Sequence, residues 1–184
     1  MKFYPTPLKG SFMIEAEPRC DTRGFFARTF CKKEFLDQGI DFSIVQCNSS
    51  YNLAKRTLRG LHYQCPPHEE AKLVVCLQGS IYDVMVDLRP ESSTYCQNFC
   101  VELTPDNHKM LYVPQGFAHG YLTLKDDSVV LYFVSEYYSP EFERRARWND
   151  PAFAIPWPLE PEIISERDAL CPDFLKVPHH ETYR

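Results

Sequence analysis

The stretch Leu73-Val74-Val75-Cys76-Leu77-Gln78-Gly79-Ser80-Ile81-Tyr82-Asp83-Val84-Met85-Val86-Asp87-Leu88 decides the fold class. Residues 73–77 are continuously apolar but too few for an ordinary helix, and read as a short buried strand. Gln78-Gly79-Ser80 has the composition of a tight hairpin turn. In residues 81–88, Tyr82, Val84, Val86 and Leu88 share one face, while Asp83 and Asp87 share the other. That period of two is a second strand.

The same punctuation continues outward. Residues 99–103 read as a strand, Thr104-Pro105-Asp106-Asn107 as a turn, and 111–113 as a strand leading into Pro114. Residues 121–124, the turn Lys125-Asp126-Asp127 and residues 128–137 form a second predicted hairpin. A short helical turn is expected at 34–38, ended by Gly39. Fifteen prolines and seven glycines cut the chain into short segments. Strands spaced by about 8–12 residues predict an all-β sandwich or small barrel. Residues 140–184 are rich in proline, tryptophan and charge and too short to hold their own core. They are expected to wrap the barrel as loops and short helices, so 1–184 reads as a single domain.

At 184 residues and 44% apolar, the chain can bury a sizeable core. The net charge of −5 comes without the basic stripe that nucleic acid demands, so no nucleic-acid partner is expected. No apolar run nears the roughly 20 residues of a membrane span. Met1-Lys2-Phe3-Tyr4-Pro5-Thr6-Pro7 lacks a signal peptide's apolar core, and a cytoplasmic protein is expected. Cysteines stand at 20, 31, 47, 65, 76, 96, 100 and 171, with no C-x-x-C pair and no histidine spaced as a zinc partner for Cys96 and Cys100. They read as mostly reduced, buried thiols.

Arg59-Gly60-Leu61-His62-Tyr63-Gln64 packs a cation, a glycine and a histidine into one apolar stretch. On its own His62 is more simply a satisfied core histidine. Arg59 changes the balance, because a cation and a base on one strand suit an anionic substrate. Lys72 precedes an apolar run, where it either stabilises a developing oxyanion or snorkels from a strand edge. Tyr132 lies within Val129-Val130-Leu131-Tyr132-Phe133-Val134, where a core phenol needs a hydrogen-bond partner. Asp168, in Ile164-Ser165-Glu166-Arg167-Asp168, is by itself an ordinary exposed carboxylate. Pro114-x-Gly116-x-x-His119 resembles the second metal motif of cupin barrels. The first supplies a His-x-His pair, and here that stretch reads His62-Tyr63-Gln64. An amide in place of one imidazole argues against a catalytic metal.

Taken together these segments resemble the nucleotide-sugar 3,5-epimerase family. The likeness runs in order through Asp21-Thr22-Arg23-Gly24-Phe25-Phe26, Val45-Gln46-Cys47-Asn48-Ser49-Ser50, residues 58–64, Glu70-Ala71-Lys72-Leu73-Val74, 83–89 and 113–121. It closes with Tyr137-Tyr138-Ser139-Pro140, Arg147-Trp148-Asn149-Asp150-Pro151 and 164–168. The resemblance implies a cupin-type double-stranded β-helix (a jelly-roll barrel) that dimerises and works without metal or other cofactor. It implies a nucleoside-diphosphate 4-keto-6-deoxyhexose as substrate. By the same resemblance His62 matches the general base, Asp168 its partner, Tyr132 the proton donor from the opposite face, and Lys72 the cation at the keto oxygen. Arg23, Gln46, Asn48, Arg59, His119, Tyr138 and Glu143 fall where the family binds substrate.

Two positions depart from the family's usual pattern. Arg28 stands where a glutamate is common, and Cys47 where an aspartate is common. Both changes remove a carboxylate from a ligand-binding segment. They leave open a thymidine, cytidine or guanosine diphosphate and a 6-deoxy or 3,6-dideoxy sugar. The rival readings are a single-centre epimerase or ketoisomerase on the same scaffold, a non-catalytic sugar-nucleotide-binding cupin, and a metal-dependent cupin oxygenase.

Overall fold

Strands account for most of the regular structure in the computed structural model, which describes residues 1–175. In chain order they are β1 (Lys2–Pro5), β2 (Phe12–Glu15), β3 (Arg19–Asp21) and β4 (Gly24–Phe26), then helix α1 (Lys32–Leu36). There follow β5 (Gln46–Asn52), β6 (Thr57–Gln64), β7 (Lys72–Gln78), β8 (Ile81–Asp87), β9 (Asn98–Leu103), β10 (Lys109–Val113), β11 (Phe117–Thr123) and β12 (Ser128–Val134). The C-terminal part adds β13 (Glu143–Arg145), β14 (Ile163–Ile164) and α2 (Glu166–Ala169). Residues 176–184, the end of the segment expected to wrap the barrel, lie outside the described residues.

Two sheets face each other. One runs β1-β2-β10-β7-β12-β5 and the other β13-β6-β11-β8-β9, with β14 also on β6. From β5 to β8, and again from β9 to β13, successive strands alternate between the sheets. That alternation is the expected all-β, cupin-type jelly roll.

It also corrects both hairpin expectations. Strands β7 and β8 lie in different sheets, and so do β11 and β12. The turns at 78–80 and 125–127 are therefore arches from sheet to sheet. Each central strand has two apolar faces to cover, which a solvated hairpin cannot do. In β7, Leu73 packs into an outer cluster and Val74 into the inner one. The two arches also hold each other. The Leu124 N–H donates to the Ser80 carbonyl at 2.8 Å, and the Ser80 N–H donates to Ser128 Oγ at 3.3 Å. Gly79, at φ +78°, lies so close to Ser128 that a Cβ would sit 2.3 Å from its hydroxyl.

Three apolar layers result. Between the sheets pack Leu8, Val74, Ile81, Met85, Leu103, Leu111, Val113, Phe117 and Val130. Outside the first sheet, Phe35 of α1 joins Phe42, Leu73, Met110 and Tyr112. Outside the second, the C-terminal segment lays Ala146 and Phe153 over Leu61, Val84, Val86 and Ala118. The face of β8 that carries Asp83 and Asp87 is fully buried, because it looks into the sandwich. The helical turn begins two residues earlier than expected, at Lys32, and Gly39 at φ +77° follows its end. No disulfide joins the described cysteines, but only Cys76, Cys96 and Cys171 are buried. The expectation of mostly buried thiols is thus corrected: Cys20 lies on the exposed β3–β4 hairpin and Cys47 on the outward face of β5.

Candidate active site

A cavity of about 840 Å³ opens between the two sheets. Arg59, His62, Lys72, His119, Tyr132 and Asp168 all line it. Strict alternation along β6 would put Arg59 and His62 on opposite faces. A bulge resolves this. Opposite β6, His119 of β11 faces His62 and Tyr121 faces Arg59, so three steps on β6 match two on β11. The extra residue turns Arg59 and His62 to the same side. Gly60 makes it possible: its φ is +116°, and a Cβ there would lie 2.6 Å from the Gly120 Cα.

Asp168 reaches His62 through a gap in the edge of β6. Strand β14 pairs parallel with Thr57 and Leu58, and β13 pairs antiparallel with residues 62–64. Helix α2 follows β14 directly, and Ser165 caps it by accepting the Asp168 N–H. This places the Asp168 carboxylate beside the Gly60 N–H at 3.5 Å and His62 Nε2 at 2.8 Å. Asp168 is 5% exposed, not the solvent-exposed carboxylate its local sequence suggests. Burial alone would raise its pKa. The hydrogen bond and charge of His62, with Ser165 and the Gly60 N–H, outweigh burial and hold the carboxyl below its ordinary value. An ionised Asp168 accepts from Nε2, which leaves Nδ1 of His62 to take a proton.

The first sheet supplies the opposing wall. Tyr132 stands across from Asn48 of β5 and Val74 of β7. Its hydroxyl makes no hydrogen bond among the described residues, so the core-tyrosine reading has no internal partner to satisfy it. Burial raises the pKa of this phenol, and Tyr121 and Glu70 add to the shift against Arg59, which keeps it protonated. Lys72 is 7% exposed and pairs with Glu70 at 2.9 Å, so it is built into the wall and does not snorkel. On β11, His119 Nε2 meets the buried Asp83 carboxylate at 2.8 Å. Gln64, which stands at the missing metal-motif imidazole, spends its amide on backbone. It donates to the His68 and Tyr137 carbonyls and accepts the Ser139 N–H.

The remaining candidates divide. Glu143 and Tyr138 connect to the cavity by a chain of contacts: Tyr138 Oη donates to Glu143 at 3.1 Å, Glu143 accepts from Arg145 at 2.7 Å, and Arg145 reaches Asp168 at 3.1 Å. Gln46 accepts the Tyr138 N–H. Asn48 adjoins Tyr132 in register without lining the cavity. Arg23 stands away from it on the exposed β3–β4 turn, paired with Asp21. Arg28, one of the two departures, is held by Glu34 at 2.7 Å. Sequence reasoning missed Arg145, and also the pairing of Arg59 with Asn52 at 2.7 Å and of Tyr121 with Ser50 at 2.8 Å. For Arg145 a signal was present: two residues beyond Glu143 on a strand, it shares that residue's face.

Residues 5–176 match the family model described as dTDP-4-dehydrorhamnose 3,5-epimerase. A dTDP-4-dehydrorhamnose 3,5-epimerase of Sinorhizobium fredii is 42% identical over 159 residues, covering 86% of this chain and 82% of that protein. The crystal structure of a Bacillus anthracis dTDP-4-dehydrorhamnose 3,5-epimerase with TDP and PPi bound superimposes with a TM-score of 0.91 at 42% identity, over 94% of this chain and 99% of that one. A Legionella pneumophila dTDP-6-deoxy-D-glucose-3,5-epimerase in complex with dTDP-4-keto-L-rhamnose gives 0.87 at 37% identity, over 92% and 90%. The chain belongs to the dTDP-4-dehydrorhamnose 3,5-epimerase family.

Proposed function

We propose that this protein inverts C3 and C5 of a thymidine-diphosphate-linked 4-keto-6-deoxyhexose. The convergence of the His62–Asp168 dyad, Lys72 and Tyr132 on one cavity carries this reading. Both carbons flank the C4 ketone, so one chemistry serves each. His62 Nδ1 removes the proton, and Asp168 supports the imidazolium that forms. The electron pair moves to the carbonyl oxygen as an enolate, whose charge Lys72 stabilises in the partly desolvated wall. Tyr132 returns a proton to the opposite face and is reprotonated from solvent. Arg59 offers a guanidinium fork to the diphosphate, and its bond to Asn52 orients it.

The reading includes a homodimer. Arg23 is expected to touch substrate, yet in one chain it stands outside the cavity beside exposed Phe25 and Phe26. A second copy would supply it. The reading also includes a cytoplasmic location, supported by cysteines that form no disulfide. Among the described residues, no helix is long and apolar enough to cross a membrane.

The test is incubation with the 4-keto sugar nucleotide in D₂O. Deuterium should enter at C3 and C5, and His62→Ala should cut exchange by about 10²–10⁴-fold while the fold survives. Label at one carbon only would make the enzyme a single-centre epimerase. Exchange at the wild-type rate in the variant would remove His62 as the base.

A further inference from the structure

We propose that Arg145 is a positioning residue whose charge sets the pH range in which the His62–Asp168 dyad works as a base; its kinetic consequence rests on the epimerase reading above. Arg145 Nη1 donates to Asp168 Oδ1 at 3.1 Å, the same oxygen that His62 Nε2 contacts at 2.8 Å. Arg145 Nη2 donates to Glu143 at 2.7 Å. The guanidinium is thus wedged between two carboxylates and shares one of them with the base. Register fixes it there, because Arg145 stands directly opposite His62 in the β13–β6 pairing.

The charges decide the direction. A carboxylate next to an imidazole favours the imidazolium, and a cation opposes it. Without Arg145, His62 would sit beside an Asp168 carboxylate that has lost its guanidinium and a Glu143 left with only Arg167, at 3.9 Å, and would hold a proton to higher pH. Arg145 cancels part of that field and keeps Nδ1 free to accept a proton from carbon. Glu143 works the other way. It partly neutralises Arg145, and its own pKa reflects the cluster. Burial would raise it, but Arg145, Tyr138 and nearby His62 hold it below its ordinary value. The two carboxylates and the imidazole interact through the charged guanidinium, so a midpoint measured on one of them belongs to the cluster.

The other groups that face this region are common to every variant below. They are Arg167 on α2 with Cys171 just beyond that helix, Tyr138 at Glu143, Arg59 on β6, His119 and Tyr121 on β11 with Asp83 of β8 behind, Lys72 with Glu70 on the β7 side, and Tyr132 on β12. Differences between variants therefore isolate Arg145 and Glu143.

The experiment follows the ring signals of isotope-labelled histidine by NMR across pH, with His62 assigned by its loss in His62→Ala. The His62 midpoint should rise by about one pH unit in Arg145→Gln and fall in Glu143→Gln. It should stay near wild type in Arg145→Lys, which keeps the charge but loses the fork. The acidic limb of the kcat/KM profile should move with it. An Arg145 that only ties β13 to α2 would lower Tm in both arginine variants without this pattern of opposite signs. An unmoved or lowered midpoint in Arg145→Gln overturns the proposal, as does a rise in Glu143→Gln. If Arg145→Gln does not fold, the sign in Glu143→Gln decides alone. The titration needs no turnover, so it stands apart from the D₂O result.

Discussion

Asp168 is the residue on which the site's geometry and its acid stability both turn. It ties α2 to β6 through Gly60 and His62 and to β13 through Arg145, and its carboxyl is held below its ordinary value of 3.8. A carboxyl depressed in the folded state stabilises the protein above its unfolded pKa, and that contribution is lost as pH falls through the folded value. Asp168→Asn should therefore destabilise the protein at pH 7, partly because Arg145 would lose a buried partner. The difference from wild type should shrink as pH falls below about 4, where the carboxyl of the unfolded chain takes up a proton, and the charge contribution is lost as pH falls through the depressed value of the folded carboxyl. Urea unfolding at pH 7 and pH 3 measures this, and an equal difference at both would show that the charge is not what stabilises. Activity should fall, but by less than in His62→Ala, since an amide still orients the ring while the charge behind the imidazolium is gone.

At the scale of elements, the β6 bulge is what makes a base and a cation neighbours. Gly60→Ala would put a methyl 2.6 Å from the Gly120 Cα and 2.8 Å from the His119 carbonyl at a φ of +116°. A cost of about 2–4 kcal/mol is expected. Gly120→Ala meets the Arg59 carbonyl at 2.7 Å without a positive φ, so it should cost less. Denaturant midpoints rank the two, and the reverse order would mean that crowding rather than backbone conformation governs the bulge. This element also shows what could be read from sequence. The strands were legible because apolar period and turn residues are local. Pairing was not, because Gln78-Gly79-Ser80 looks alike in a hairpin and in an arch. The bulge was not legible either, since it depends on the register of β11. Asp168 meets His62 across 106 residues, so only the family resemblance could link them.

At the scale of the whole molecule, the fold supplies the two sides that inversion requires. His62 projects from β6 of one sheet and Tyr132 from β12 of the other, and the cavity lies between them. A proton taken by a group on one sheet and returned by a group on the other must change the configuration at carbon. On the proposed mechanism Tyr132→Phe separates these events. His62 and Lys72 still form the enolate, so deuterium should continue to enter the substrate. Reprotonation from the far face lacks its donor, so epimer formation should fall much further than exchange. The lost hydroxyl has no internal hydrogen bond among the described residues, and the ring's packing against the inner core is unchanged. Tm should therefore stay close to wild type. Both rates can be read on one sample, exchange by mass and configuration by NMR coupling constants. If the phenylalanine variant inverts the sugar as fast as wild type, Tyr132 is an ordinary core tyrosine and the proton from the far face must come from another acid.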